Sequence, residues 1–174
     1  MIYFEEVMLQ GIILGYIRLD FDEIVEYIDK YVKKIDNWFM CDNFCKRLKY
    51  VNKHKERWWD YIQKQLFSSD EFEIRFGVVI IIYYYIENNY IDNVLEVLNK
   101  IDTSKYYAST AVAWALSICY VKFSNETLEY LKRSNIDDIT YNRTIQKIVE
   151  SFQVEDEEKQ IISKMKREYV NKTM

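Results

Sequence analysis

The 174-residue chain has no proline and only three glycines, Gly11, Gly15 and Gly77. Nearly all the punctuation that tight turns require is therefore missing. A β-sandwich or a doubly wound sheet needs many such residues at its turns, whereas helices joined by short polar connections do not. The spacing of apolar residues is helical almost throughout. It predicts helices over roughly 2–17, 21–34, 37–49, 53–67, 71–86, 89–100, 104–121, 124–133, 138–151 and 155–168. The expected fold class is all-α. The β-branched stretch Val78 to Ile82 tempts a strand assignment, but the cap signal at Asp70 and the length through Ile86 favour a helix.

Several helix starts carry cap signals. Asp20 with Glu23 and Asp70 with Glu73 have capping-box spacing. Asp36 or Asn37, Asn52, Ser124 and Asp137 are the N-cap candidates for other helices. Very apolar helices, such as 71–86 and 104–121, alternate with shorter amphipathic ones, such as 89–100 and 124–133. Pairs begin near 2, 37, 71 and 104, about 35 residues apart, the period of stacked helix pairs of the HEAT or armadillo kind. The expectation is a single α-solenoid domain over 1–174, each pair burying its apolar face on its neighbours. Gly11 and Gly15 then read as a small-x3-small pair that admits a neighbouring helix, not as a membrane dimer motif, given Glu5, Glu6 and Arg18.

Charge and cysteines narrow the function classes. A net charge of -4 supplies no global attraction to nucleic acid. One local basic patch exists: Lys46, Arg47, Lys49, Lys53, Lys55 and Arg57, with His54, fall within twelve positions. It reads either as a solvated helix-turn-helix surface or as a phosphate-facing patch. Three cysteines argue against a secreted disulfide framework and fit a reducing cytoplasm. Cys41 and Cys45 lie four apart, but one histidine and one distant cysteine make poor further ligands, so no metal and no cofactor is expected. The N-terminal segment lacks a basic leader, and the apolar run Phe76 to Ile86 falls far short of about 20 residues, so neither a signal peptide nor a membrane span is expected.

The chemistry concentrates on a few side chains. Trp38 and Asp42 lie four apart in the first turns of the helix at 37–49, on one face. A carboxylate stabilises developing positive charge and an indole face attracts cations, so the pair suits a cationic substrate. Arg75 occupies the second turn of the helix at 71–86, and Trp114 lies within that at 104–121. If helix pairs stack in register, these four side chains fall on equivalent helices of consecutive repeats. The plainer readings are core filling for Trp114 and a surface charge paired with Glu71 for Arg75.

The stretches Asn37-Trp38-x3-Asp42, Phe72-Glu73-Ile74-Arg75-Phe76 and Ala113-Trp114-Ala115-Leu116 resemble the HEAT-repeat DNA alkylation repair proteins, some of which are DNA glycosylases. The resemblance extends over Glu5 to Gln10 with Gly11, over Asp137 to Asn142, and over Gln146-Lys147-Ile148. It implies that Asp42 is the catalytic carboxylate, Trp38 and Trp114 are aromatic walls facing the lesion, and Arg75 contacts the DNA backbone. It also implies hydrolysis of the N-glycosidic bond of cationic N3- or N7-alkylpurines in double-stranded DNA, without flipping the base into a deep pocket. Lys46, Lys49, Lys53 and Lys55 are the candidates for further backbone contacts. Two departures from the family pattern are visible. Met1 falls inside it, about one helix pair in, which leads to an expectation of self-association through exposed N-terminal helices. Ser117 stands where many relatives carry a basic residue, which leads to an expectation of weak, salt-sensitive DNA binding. The competing functions are a HEAT-repeat interaction scaffold and a catalytically inactive relative.

Overall fold

Helices uniformly apolar around their circumference have to be enclosed on all sides, and amphipathic ones lie at the surface. The computed structural model, which describes residues 4–168, follows this for the helices Glu71–Tyr84 and Tyr106–Lys122 but not for the first helix, which is apolar yet largely exposed. It contains ten α-helices and one 3-10 turn, with no strand among the described residues. The helices are α1 (Phe4–Tyr16), α2 (Phe21–Val32), α3 (Trp38–Arg47), α4 (Lys55–Leu66), α5 (Glu71–Tyr84), α6 (Ile91–Leu98), α7 (Tyr106–Lys122), α8 (Ser124–Arg133), α9 (Asp138–Glu150) and α10 (Asp156–Ser163). The expected start at residue 2 lies outside the described residues. Among those residues, no helix is long and apolar enough to cross a membrane.

The chain divides into two compact units, Met1–Tyr84 and Tyr85–Met174. In the first, α3 packs on α1 and on α5, while α2 and α4 also pack against α5. Every residue of α5 from Ile74 to Ile82 is buried, so the β-branched run is a helix enclosed by neighbours. Trp58, Ile62 and Leu66 of α4 and Ile28 of α2 complete this core. In the second unit α7 packs on α9, α8 on α7, α6 on both α7 and α8, and α10 on α9. Its core is built from Ala111, Val112, Ala115, Leu116 and Cys119 of α7 with Ile145 and Ile148 of α9.

Gly11 and Gly15 admit close neighbours, as their spacing predicts. The Tyr31 phenol of α2 occupies the place a Gly11 side chain would take, and Arg47 of α3 crowds Gly15. Of the N-cap candidates, Asn37 accepts the Met40 N–H at 2.9 Å and Asp137 accepts that of Thr140 at 2.9 Å. Asp70 accepts the N–H groups of Phe72 and Glu73, but the Glu73 carboxylate turns to the Ser68 hydroxyl instead of closing the box. Two cap assignments are corrected. Asn52 lies inside the 3-10 turn Lys49–Lys53, so α4 starts only at Lys55, after His54. Ser124 is already helical, with Phe123 at the cap position.

Candidate functional site

Asn37 sets the start of α3, so Trp38 is its first helical residue and Asp42 follows one turn later. Trp38 is 53% exposed and meets Phe39 edge to face, with ring centroids 5.9 Å apart. Two aromatic side chains thus stand in solvent at the head of α3, where burial offers no account of them.

Asp42 faces α5. The Arg75 guanidinium grips its carboxylate with two bonds, Nε to Oδ1 at 2.9 Å and Nη2 to Oδ2 at 2.8 Å. The side chains are 8% exposed for Arg75 and 15% for Asp42. This fork-on-fork geometry orients the carboxylate as well as attracting it. Each carboxylate oxygen keeps a second lone pair, so Asp42 retains acceptor capacity. The helix register behind the pair is held by four contacts. Phe44 stacks on Phe76 at 6.0 Å, Cys45 Sγ approaches the Phe76 carbonyl at 3.7 Å, and the Tyr84 hydroxyl donates to the carbonyls of Cys45 at 3.0 Å and Lys46 at 3.2 Å. Later residues of α3 meet later residues of α5, so the two helices run in the same sense.

The structure therefore brings Asp42 and Arg75 together and leaves Trp38 beside them in solvent. As a backbone contact Arg75 would need an outward-facing guanidinium; instead its side chain is buried on Asp42. One neighbour escapes the sequence reading. Burial raises the pKa of the Tyr83 phenol, and the charge of Asp42 pushes it the same way, which places Tyr83 in the electrostatic field of the carboxylate. The only sequence hint is the Tyr83-Tyr84-Tyr85 run that ends the apolar stretch.

The basic patch separates into two kinds of residue. Lys46, Lys49 and Lys53 are exposed along the end of α3 and the 3-10 turn, and Lys55 is half-buried at the head of α4. Arg47 turns back to Asn43, and Arg57 pairs with Asp22 at 2.6 Å while lying over the Phe21 ring. Cys41 and Cys45 are buried, and burial pushes the Cys45 thiol up. Among the described residues no cluster of histidine, cysteine and carboxylate side chains has the composition to hold a metal. At the N-terminus, Leu9, Ile13 and Tyr16 of α1 are exposed.

Trp114 belongs to the second unit. It is half-buried in α7 and, with Ser117, Ile118, Val121, Lys147 and Glu150, lines a cavity of about 220 Å³. The Ser117 hydroxyl is folded back onto the Trp114 carbonyl at 2.8 Å. The model of one family, described as DNA alkylation repair enzyme, matches residues 3–147, a span that includes Trp38, Asp42, Arg75 and Trp114. No curated protein and no solved structure matches the chain.

Proposed function

The chain belongs to the DNA alkylation repair enzyme family, and on that premise we propose that it is a DNA glycosylase acting on cationic N3- and N7-alkylpurines. The observation that carries this reading is the Asp42 carboxylate, seated bidentate on Arg75 one turn from an exposed indole. An alkylated purine is already positively charged and leaves without a general acid. The barrier is then formation of an oxocarbenium-like sugar, as in other glycosidic hydrolyses. A carboxylate fixed before the reaction lowers that barrier without reorganising, and it positions the attacking water. The Trp38 face attracts the cationic nucleoside. Trp114 is assigned the same role, and Lys46, Lys49 and Lys53 that of phosphate contacts, which position the duplex without reading its sequence. A HEAT-like solenoid is the architecture of this reading. Within each unit alternate helices pack, α1 on α3 on α5 and α7 on α9, which supports it.

The test is release of 7-methylguanine from methylated duplex DNA. Asp42→Asn keeps the shape and removes the charge. It is expected to lower the single-turnover rate by at least about 100-fold, the usual scale for one preorganised electrostatic group. The variant also leaves the buried Arg75 without its counter-charge, so it is assayed below its own melting transition, where helical content and duplex binding should match wild type. Equal release by the folded variant would remove Asp42 from the catalytic role.

A further inference from the structure

Arg143 of α9 is held in place yet has no acid partner among the described residues. Its Nη1 donates to the Ser109 hydroxyl at 2.6 Å, and the Ser109 and Thr140 hydroxyls are hydrogen-bonded at 2.7 Å. Ser109 and Thr140 are buried, so this anchor is fixed. The guanidinium also lies 4.9 Å from the centre of the exposed Tyr106 ring. Arg143 makes no ion pair among the described residues, and most of its five N–H groups are left uncommitted.

These groups border a cavity of about 590 Å³ at the head of α7 and α9, lined by Thr103, Ser104, Lys105, Tyr106, Ile139 and Arg143. Asp102 and Asp137 line it as well, and both stay charged, but neither is paired with Arg143. Asp137 caps α9 and accepts the Thr103 hydroxyl, and Asp102 accepts the Ser104 N–H. One turn further along α9, about 6 Å in rise, Lys147 borders the Trp114 cavity. It too makes no ion pair among the described residues, and Glu150 beside it accepts from Gln146. Along the seam of α7 and α9, then, Arg143 lies over the Tyr106 ring, and Lys147 lines the same cavity as the half-buried Trp114.

We propose that this seam is a phosphate-group site, with Arg143 as the clamp and Lys147 as the second cation. A pre-oriented guanidinium with no carboxylate bonded to it matches the planar, bidentate recognition of phosphate. The Tyr106 ring beside Arg143 suits a sugar or base attached to that phosphate. Two cations in line along one helix point to successive phosphates of a strand. In that form the proposal rests on the DNA reading above, and a free phosphate compound is the other source of the same chemistry.

The experiment uses the full chain with Arg143→Gln, Lys147→Gln and the double variant. Lys147 makes no hydrogen bond that the fold depends on, so its variant keeps the test open should Arg143→Gln unfold. Duplex affinity is measured by fluorescence anisotropy over a salt series, and inorganic phosphate is titrated separately by NMR. For a DNA strand, each single substitution lowers the slope of log affinity against log salt by about 1, and the double by about 2. For a free phosphate source, the phosphate titration is lost in the variants while the duplex slope is unchanged. Folded variants unchanged in both arms overturn the site, even if the wild type releases 7-methylguanine. A wild type whose slope responds to these substitutions but which releases no base leaves the site standing and removes the glycosylase reading.

Discussion

A carboxylate as enclosed as Asp42 costs several kcal/mol to bury unless a partner compensates it, and Arg75 is that partner. The same bond that makes the acid tolerable also aims it, so stability and function share one contact. Arg75→Ala is expected to destabilise the chain by about 3–5 kcal/mol, because it leaves an uncompensated charge. Arg75→Lys keeps the charge but loses the fork, and should fall between the two. Removing both partners should cost less than the sum of the single losses, which a double-mutant cycle in urea reads directly. A loss below about 1 kcal/mol for Arg75→Ala, the scale of an exposed ion pair, would show that Arg75 does not hold Asp42. The sequence placed Asp42 and Arg75 on the corresponding helices of neighbouring pairs, as acid and guanidinium of one site. Their direct pairing was not legible. It depends on a helix register set by Phe44 on Phe76 and by Tyr84 on the Cys45 carbonyl, contacts between residues more than thirty positions apart.

At the scale of helices, local signals were sufficient wherever local forces decide. Each of the ten helices overlaps a span expected from apolar spacing, and the side chains of Asn37 and Asp137 accept cap hydrogen bonds, whereas Asn52 and Ser124 do not cap. The ends drifted where a distant partner outbids the next helical turn. Helix α10 was expected to run to 168 but stops at Ser163. Beyond it, the Asn142 side chain bonds both the N–H and the carbonyl of Arg167, at 2.8 and 2.9 Å. The Arg167 guanidinium donates to the carbonyls of Ile136 and Ser134 and to Asp138, and lies 3.8 Å from the centre of the Tyr141 ring. Nothing in the run Lys164-Met165-Lys166-Arg167 announces this. Asn142→Ala removes two bonds, each worth about 1 kcal/mol net, and should lower stability by about 1–3 kcal/mol. Hydrogen exchange should show the loss of protection concentrated at the Arg167 amide and in α10. Unchanged exchange there would mean that the tail is held by something other than this clasp.

For the whole molecule, the sequence offers an alternation seen most clearly in α5 and α7, enclosed helices that are each followed by an amphipathic one, α6 and α8. What such an alternation cannot carry is which side chains act together, since that follows from three-dimensional placement and not from order. Trp38, Asp42 and Arg75 belong to the first unit and Trp114 to the second, so the glycosylase reading asks residues of two units to serve one substrate. Kinetic coupling is the measurement suited to that demand. If both indoles attract the same cationic purine, Trp38→Ala and Trp114→Ala should each lower kcat/KM for 7-methylguanine release by about 5- to 30-fold, from about 1–2 kcal/mol of lost cation–π attraction. Once one wall is gone the base is less well held, and the second substitution then costs a different amount. The coupling energy should therefore exceed about 0.5 kcal/mol, the limit within which independent sites add. Additive losses would leave Trp38 with the lesion and assign Trp114 to binding elsewhere on the duplex. No loss from Trp114→Ala, in a variant that melts with the wild type, would return that indole to packing in α7.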